Sequence, residues 1–286
     1  MRIKFSDVSH IYQSMSADNT AAVKNVTLDL SDFSITAIVG HTGSGKSTAM
    51  QHINGLLQAT SGQVVVEDTV ITNKKNRQLA TIRQHIGYVF QNPAYQLFAS
   101  TILEDVMYGP LNFGYNKADA QKAAKQALTA VGVAENLYEA YPFDLSGGQM
   151  RKVALAGALA YNPEVLILDE PTVGLDPLAT QELMELFKQL HEKEKKSLIF
   201  ITHDMEFVYE LAKRVIVFAE GEVVFDGTPY QLFTNIELLE LYALDMPDIF
   251  KLAHGLAKKG VDLEMNEQAF SLDKIIEILK KKKGMK

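Results

Sequence analysis

The chain has 286 residues, 47% of them hydrophobic and 22% charged, with a formal net charge of −7 and no cysteine. That length accommodates one large α/β domain with a smaller addition, and the apolar share is enough for a sizeable core. The lack of cysteine excludes a disulfide framework and a thiolate metal site, and the acidic balance makes nucleic acid a poor partner for the chain as a whole.

The N-terminal Met1-Arg2-Ile3-Lys4-Phe5 lacks the long apolar core of a signal peptide. No stretch reaches the run of about eighteen apolar residues that a membrane span needs, so no transmembrane segment is expected and any membrane association should be peripheral. Short β-rich runs at 3–8, 23–30 and 35–39, with a polar loop at 14–20, predict a β-rich edge ahead of an α/β core. The last of these runs opens directly into Gly40-His41-Thr42-Gly43-Ser44-Gly45-Lys46-Ser47, and Thr48 continues into a helical pattern expected to reach about residue 57. Strand, glycine-rich turn and helix are the setting of a phosphate-binding loop. Backbone N–H groups at the glycines can wrap the α- and β-phosphates, Lys46 can reach the β- and γ-phosphates, and the Ser47 hydroxyl can meet Mg²⁺. The positive end of the following helix faces the same anion. A nucleoside triphosphate is the expected ligand.

Strands are expected again near 63–66 and 86–90. From Thr101 to about Ala160 the pattern turns helical, with Ala120, Ala123, Ala124, Ala127, Leu128 and Val131 on one face before Gly132. Val165-Leu166-Ile167-Leu168 is apolar at every position, which predicts a parallel strand buried on both faces. Further strands are expected at 197–201, 214–218 and 222–225, with a crossing helix at 178–195. Beyond Asp226-Gly227-Thr228-Pro229 only helical signals remain: Ile249, Leu252, Ala253 and Leu256 form one apolar stripe, and Leu272, Ile275, Ile276 and Leu279 another. Lys280 to Lys283 with Lys286 reads as a solvated basic tail.

The predicted fold is therefore α/β: a P-loop NTPase core with a parallel sheet, an N-terminal antiparallel β subdomain, an inserted helical subdomain at about 92–160, and a small C-terminal helical extension. The corresponding division is 1–230 for the nucleotide-binding domain and 231–286 for the extension.

Asp169-Glu170 closes the buried strand, at the carboxyl end where an open α/β sheet binds its ligand. Asp169 is placed to hold Mg²⁺, and Glu170, turned the other way, to orient or deprotonate an attacking water. An acidic strand end alone is common; the phosphate loop gives this one its meaning. Leu145-Ser146-Gly147-Gly148-Gln149 offers a second anion site at a helix start. Ser146 is explained equally well as a plain N-cap, but capping does not explain two consecutive glycines, which weaken a helix start unless something must approach the backbone.

With this pentapeptide the chain resembles the ATP-binding cassette (ABC) ATPases over roughly residues 1–230, and the family's other landmarks follow in order. Tyr12 stands at the position of the adenine-stacking aromatic, Gln91 at the Q-loop, Gly174-Leu175-Asp176 at the D-loop and His203 at the switch histidine. Taken singly, Tyr12 could be an edge-strand aromatic, Gln91 part of the Asn92-Pro93 turn, and His203-Asp204 a strand end running into a capped helix. The resemblance implies ATP and Mg²⁺ as ligands, Glu170, His203 and Gln91 as catalytic residues, and Ser47, Gln91 and Asp169 at the metal. It also implies that Ser146, Gly147, Gly148 and Gln149 contact ATP held by a second subunit.

Gln96-Leu97-Phe98, Tyr108 to Gly114, Gln51 to Leu57 and Ser146 to Ala154 look like the energy-coupling factor (ECF) transporter ATPases, importers of vitamins and metal ions. His41-Thr42 and Gln51-His52 lean towards the second of their two ATPase subunits. That likeness implies a partner ATPase, identical or related, contacted through the C-terminal extension. It further implies a transmembrane coupling protein received in a groove at Gln96, Leu97 and Phe98, where Leu97 and Phe98 could equally be core, together with a substrate-binding membrane subunit and a place on the cytoplasmic face of the membrane. Ser31-Asp32-Phe33, Ala94-Tyr95 and Ala99-Ser100 depart from the subfamily's habit. A conventional importer ATPase would share this nucleotide chemistry, whereas a repair or ribosome ATPase would carry a coiled-coil insertion or a second cassette, neither of which is present.

Overall fold

Two sheets organise the chain. A computed structural model describes residues 1–12, 20–30, 33–71, 78–261, 263 and 270–282. Most of the polar loop expected at 14–20, the Ser31-Asp32 departure, and Lys283 and Lys286 of the basic tail lie outside these residues. The N-terminal part supplies β1 (Ile3–Tyr12), β2 (Thr20–Asp29) and β3 (Ile35–Val39), then α1 (Lys46–Gln51), β4 (Ser61–Val66), β5 (Thr69–Ile71), α2 (Gln78–His85) and β6 (Ile86–Val89). The helical insertion follows as α3 (Ile102–Asn112), α4 (Lys117–Ala130) and α5 (Gly147–Leu159). The core resumes with β7 (Val165–Asp169), α6 (Pro177–Glu192), β8 (Ser197–Ile201), α7 (Met205–Leu211), β9 (Arg214–Ala219) and β10 (Glu222–Gly227). The tail holds α8 (Pro229–Thr234), α9 (Ile236–Leu241), α10 (Asp248–Lys258) and α11 (Leu272–Lys282).

β2-β1-β4-β5 form a four-stranded antiparallel sheet, and β10-β9-β3-β8-β7-β6 a six-stranded sheet that is parallel except for β10. The unbroken apolar runs are explained by burial on both faces. Alternate residues of one strand join different cores: Leu166, Leu168, Leu198 and Phe200 pack towards the helical insertion and the tail, while Val165, Ile167, Ile199 and Ile201 pack towards α1 and the antiparallel sheet. The parallel strands end beside one another at the phosphate loop and Asp169, the position at which such a sheet offers a ligand crevice.

Three details differ from the sequence expectation. The helix after the phosphate loop stops at Gln51, because tight turns and Gly55 at φ 67° end it. The crossing helix stops at Glu192, before Lys195 at φ 58°. β5, α2 and α7 are additional, being too short to show a clear period. The tail is packed on the cassette itself: Leu232, Phe233, Leu239 and Phe250 join the helical-side core, Phe250 stacks on Phe270 at 4.2 Å, and the Tyr209 hydroxyl donates to the Phe270 carbonyl at 3.2 Å. Its apolar stripes are only partly covered, with Leu252, Leu272 and Ile276 exposed.

Candidate nucleotide site

The phosphate loop is shaped by contacts that only glycine permits. A Cβ on Gly40 (φ 138°) would stand 2.1 Å from the Phe218 carbonyl oxygen, and one on Gly45 (φ 98°) 2.2 Å from that of Ala22. The loop is thereby seated between β9 and β2, and the Gly221 N–H donates to the Ser44 carbonyl at 3.1 Å. Gly45 caps α1 in a left-handed conformation without a side-chain hydrogen bond, which leaves first-turn N–H groups free for an anion. The Lys46 ammonium donates to the carbonyls of Gly40 (2.7 Å) and His41 (2.6 Å). Burial pulls its pKa below the usual lysine value, against the opposing pull of Glu170 and Asp169. A cation desolvated inside a ring of backbone dipoles gains most from a phosphate group.

Asp169 and Glu170 stand at the end of β7 and are both buried. Burial raises the Asp169 pKa, while the Ser47 and Tyr88 hydroxyls that hydrogen-bond to its carboxylate pull it back down. One carboxylate with a neighbouring serine hydroxyl is a hard-oxygen set suited to Mg²⁺, which is ordinarily held by one or two carboxylates together with substrate phosphates. Among the described residues no group of three or more His, Cys, Asp or Glu side chains is arranged so that it could hold a metal ion by itself. Glu170 sits at φ 51°, a left-handed conformation that costs a non-glycine residue about 1–3 kcal/mol. Its Oε1 lies 2.9 Å from the Nδ1 of the exposed His203, and its Oε2 is buried without a partner. A strained carboxylate with one oxygen engaged and one unmatched has the character of a functional group.

The signature segment lies elsewhere. Ser146 caps α5, its Oγ accepting from the Gln149 N–H (3.3 Å) while Gln149 Oε1 accepts from the Ser146 N–H (3.0 Å). A Cβ on Gly147 would meet nothing within 4 Å, and one on Gly148 only the Leu175 side chain at 3.5 Å. Ser146 to Gln149 and Gly174 to Asp176 line a common cleft of about 660 Å³, which shares no residue with the cleft of about 600 Å³ at Gly40 to Ser44. The two segments expected to bind anions therefore line separate clefts of this chain. Asp176 caps α6, accepting from the Ala179 N–H at 2.8 Å, and Asp204 likewise caps α7.

Gln91 is exposed, and its carbonyl accepts from Arg151 Nη2 at 3.0 Å. Arg151 Nη1 is buried and unpartnered, and Glu170 supports the charge of this guanidinium against desolvation. The residues expected to line a groove at Gln96, Leu97 and Phe98 differ in exposure. Leu97 is buried, and Gln96 is spent inside, its Oε1 accepting from the Phe90 N–H and its Nε2 donating to the Ala154 carbonyl. A loop has no period, so alternation could not tell which neighbour faces in. Phe98 does face out, edge-on to the exposed Tyr108 at 4.7 Å, with Tyr95 exposed nearby in sequence.

Tyr12 is half exposed, its hydroxyl 3.2 Å from Thr48 Oγ1 on α1. Sequence reasoning missed Arg151, and it missed the tail's contact with the phosphate loop, where His41 Nε2 lies 2.6 Å from the Tyr242 carbonyl. Arg151 was marked no further than by its place two residues after Gln149 within the Ser146 to Ala154 likeness, and a backbone carbonyl 201 residues away leaves no signal.

A phosphate loop on a mostly parallel sheet, with an acidic strand end beside it, defines a P-loop nucleotide-binding fold. The ABC transporter family profile matches residues 23–173, which include the phosphate loop, Gln91, the signature and Glu170. The energy-coupling factor transporter ATP-binding protein EcfA2 of Streptococcus agalactiae serotype Ia is 47% identical over 264 residues, 92% of this chain and 94% of that one. EcfA2 of Streptococcus pyogenes serotype M5 is 44% identical over 281 residues, 98% and 99% of the two chains. Among solved structures, the dimeric post-hydrolysis state of the ATP-binding cassette MJ0796 bound to ADP and Pi superposes with a TM-score of 0.74 at 31% identity, covering 79% of this chain and 98% of that one. The cbiO1 structure from Clostridium perfringens, part of the ABC transporter complex cbiONQ, gives 0.71 at 34% identity, covering 88% and 98%. The chain belongs to the ABC transporter family and, within it, to the energy-coupling factor transporter ATP-binding proteins.

Proposed function

We propose that this chain is the ATP-hydrolysing subunit of an ECF-type ABC importer. It would work on the cytoplasmic face of the membrane, beside a second ATPase subunit, a transmembrane coupling protein and a substrate-binding membrane subunit, and energise uptake of a vitamin or metal ion. No helix among the described residues is long and apolar enough to cross a membrane, so the path for the solute belongs to partners. The observation that carries this reading is the separation of two anion-binding segments, one of which keeps two glycines that its own fold does not require.

In this reading ATP lies against the 40–48 loop, with Lys46 on the β- and γ-phosphates and Tyr12 against the base. Ser47, Asp169 and Gln91 would hold Mg²⁺, which supplies charge neutralisation between the β- and γ-oxygens. Ser146 to Gln149 of the neighbouring subunit closes over the triphosphate, so nucleotide binding and association are one event. Glu170 aligns water for in-line attack with its unmatched Oε2, while His203, tied to Oε1, fixes the carboxylate and faces the γ-phosphate. Loss of the γ-phosphate contacts then reopens the pair. The uncovered apolar residues Leu252, Leu272 and Ile276 support the tail as a lasting contact between ATPase subunits, and the Phe98–Tyr108 pair supports a docking point for a membrane partner.

The test is Glu170→Gln in the assembled complex. Turnover should fall by about 10²–10⁴-fold while ATP binding persists and the closed pair accumulates. An unchanged ATPase rate would remove Glu170 from the chemistry.

A further inference from the structure

Tyr12 is held by a closed ring of contacts. β1 places His10 and Tyr12 on the same side of the strand, and their rings meet edge-on at 4.6 Å. Behind Tyr12, His10 is buried and meets the fully buried His52 ring at 4.9 Å. His52 Nδ1 lies 2.6 Å from the Thr48 carbonyl, and Thr48 returns to Tyr12 through its own hydroxyl at 3.2 Å. Strand β1 and the helix that carries Lys46 are joined through these side chains.

The hydrogen-bond logic fixes the imidazoles. A carbonyl can only accept, so His52 Nδ1 donates to Thr48, and His10 Nδ1 donates to the Gln58 carbonyl at 2.9 Å. His10 Nδ1 also lies 3.2 Å from His52 Nε2, so its one proton is shared between the Gln58 carbonyl and that nitrogen, which accepts and leaves His52 neutral in one tautomer. Burial favours the same neutral form and lowers the His52 pKa. Two buried histidines with assigned donors, packed edge-on behind a half-exposed aromatic, exceed what filling the space would require.

We propose that His10 and His52 are positioning residues for nucleotide binding: they hold the Tyr12 ring at a set distance from the phosphate-loop helix, so that base platform and phosphate cradle fit one nucleotide without rearrangement. The proposal rests on the reading of Tyr12 as the surface that meets the base. Fixing an otherwise mobile ring before the ligand arrives raises affinity by removing an ordering cost.

The experiment compares binding of Mg·ATP and of inorganic tripolyphosphate, which has no base, to the full chain. His10→Ala should weaken ATP about fivefold and leave tripolyphosphate unchanged, with the loss appearing in KM and not in kcat. Tyr12→Ala should show the same selectivity, and the double variant should lose little more than Tyr12→Ala alone. His10→Phe keeps the ring volume without the donor; it is expected to show the same selective loss and serves if the alanine variant does not fold. Equal weakening of both ligands, or additive losses in the double variant, would reduce His10 to a packing residue. ATP loss with Tyr12→Ala but none with either His10 variant would overturn the positioning role and spare the base-platform reading. Indifference of ATP to Tyr12→Ala would remove that reading and this proposal together.

Discussion

The phosphate loop and the signature segment are both glycine-rich helix starts, yet their glycines answer to different masters. Gly40 and Gly45 are required by the chain's own backbone, since a Cβ at either would press on a carbonyl oxygen at 2.1 or 2.2 Å. Gly147 and Gly148 face open space or a single flexible leucine. In the first region fold and ligand make the same demand on the sequence. In the second the fold makes none, and under the proposed function the demand is that of a neighbouring subunit's nucleotide.

Alanine at each site is the sharpest way to break this contrast. Gly45→Ala should do the most damage: left-handed strain alone costs about 1–3 kcal/mol, and displacement of the loop from Ala22 adds to it. Thermal unfolding should fall by roughly 5 °C, and ATP binding measured by calorimetry should be lost. Gly148→Ala should do the opposite to stability, holding it steady or raising it by up to ~1 kcal/mol because alanine favours the helix. ATP binding to the isolated chain should persist, while turnover in the complex should drop by about tenfold as the added methyl meets the nucleotide across the interface. A signature variant that melts early, or a loop variant that does not, would erase the distinction between the two regions.

The same contrast explains what could be read without coordinates. The phosphate loop, Asp169-Glu170 and the signature were legible because their chemistry is written in consecutive residues, and the buried strands because both-face burial leaves an unbroken apolar run such as Val165 to Leu168. The helical insertion showed itself through the alanine face of α4, where Ala120, Ala124 and Ala127 are buried. Contacts that close over long sequence distance left no trace. Arg151 reaches a backbone carbonyl at Gln91, and His10 meets His52 across 42 residues, with nothing in either local pattern to mark the pair. Leu97 and Phe98 could not be told apart for a related reason, because inward and outward residues in an aperiodic loop differ only in what the rest of the fold brings to them.

The smallest expected effect concerns a contact between the tail and the phosphate loop. His41 is exposed, and its 2.6 Å contact with the Tyr242 carbonyl joins the phosphate loop to the end of α9, beside Ala243 in a left-handed turn at φ 44°. An exposed neutral hydrogen bond contributes only about 0.5–1.5 kcal/mol, too little to hold the loop, whose shape is already fixed by Gly40 and Gly45. His41→Ala should therefore leave the loop's amide protection unchanged in hydrogen exchange and raise exchange at 241–243, with thermal stability down by no more than about 1 kcal/mol. Faster exchange within 40–45 instead would mean that the tail braces the loop, and that even the first region depends on a contact its own glycines do not supply.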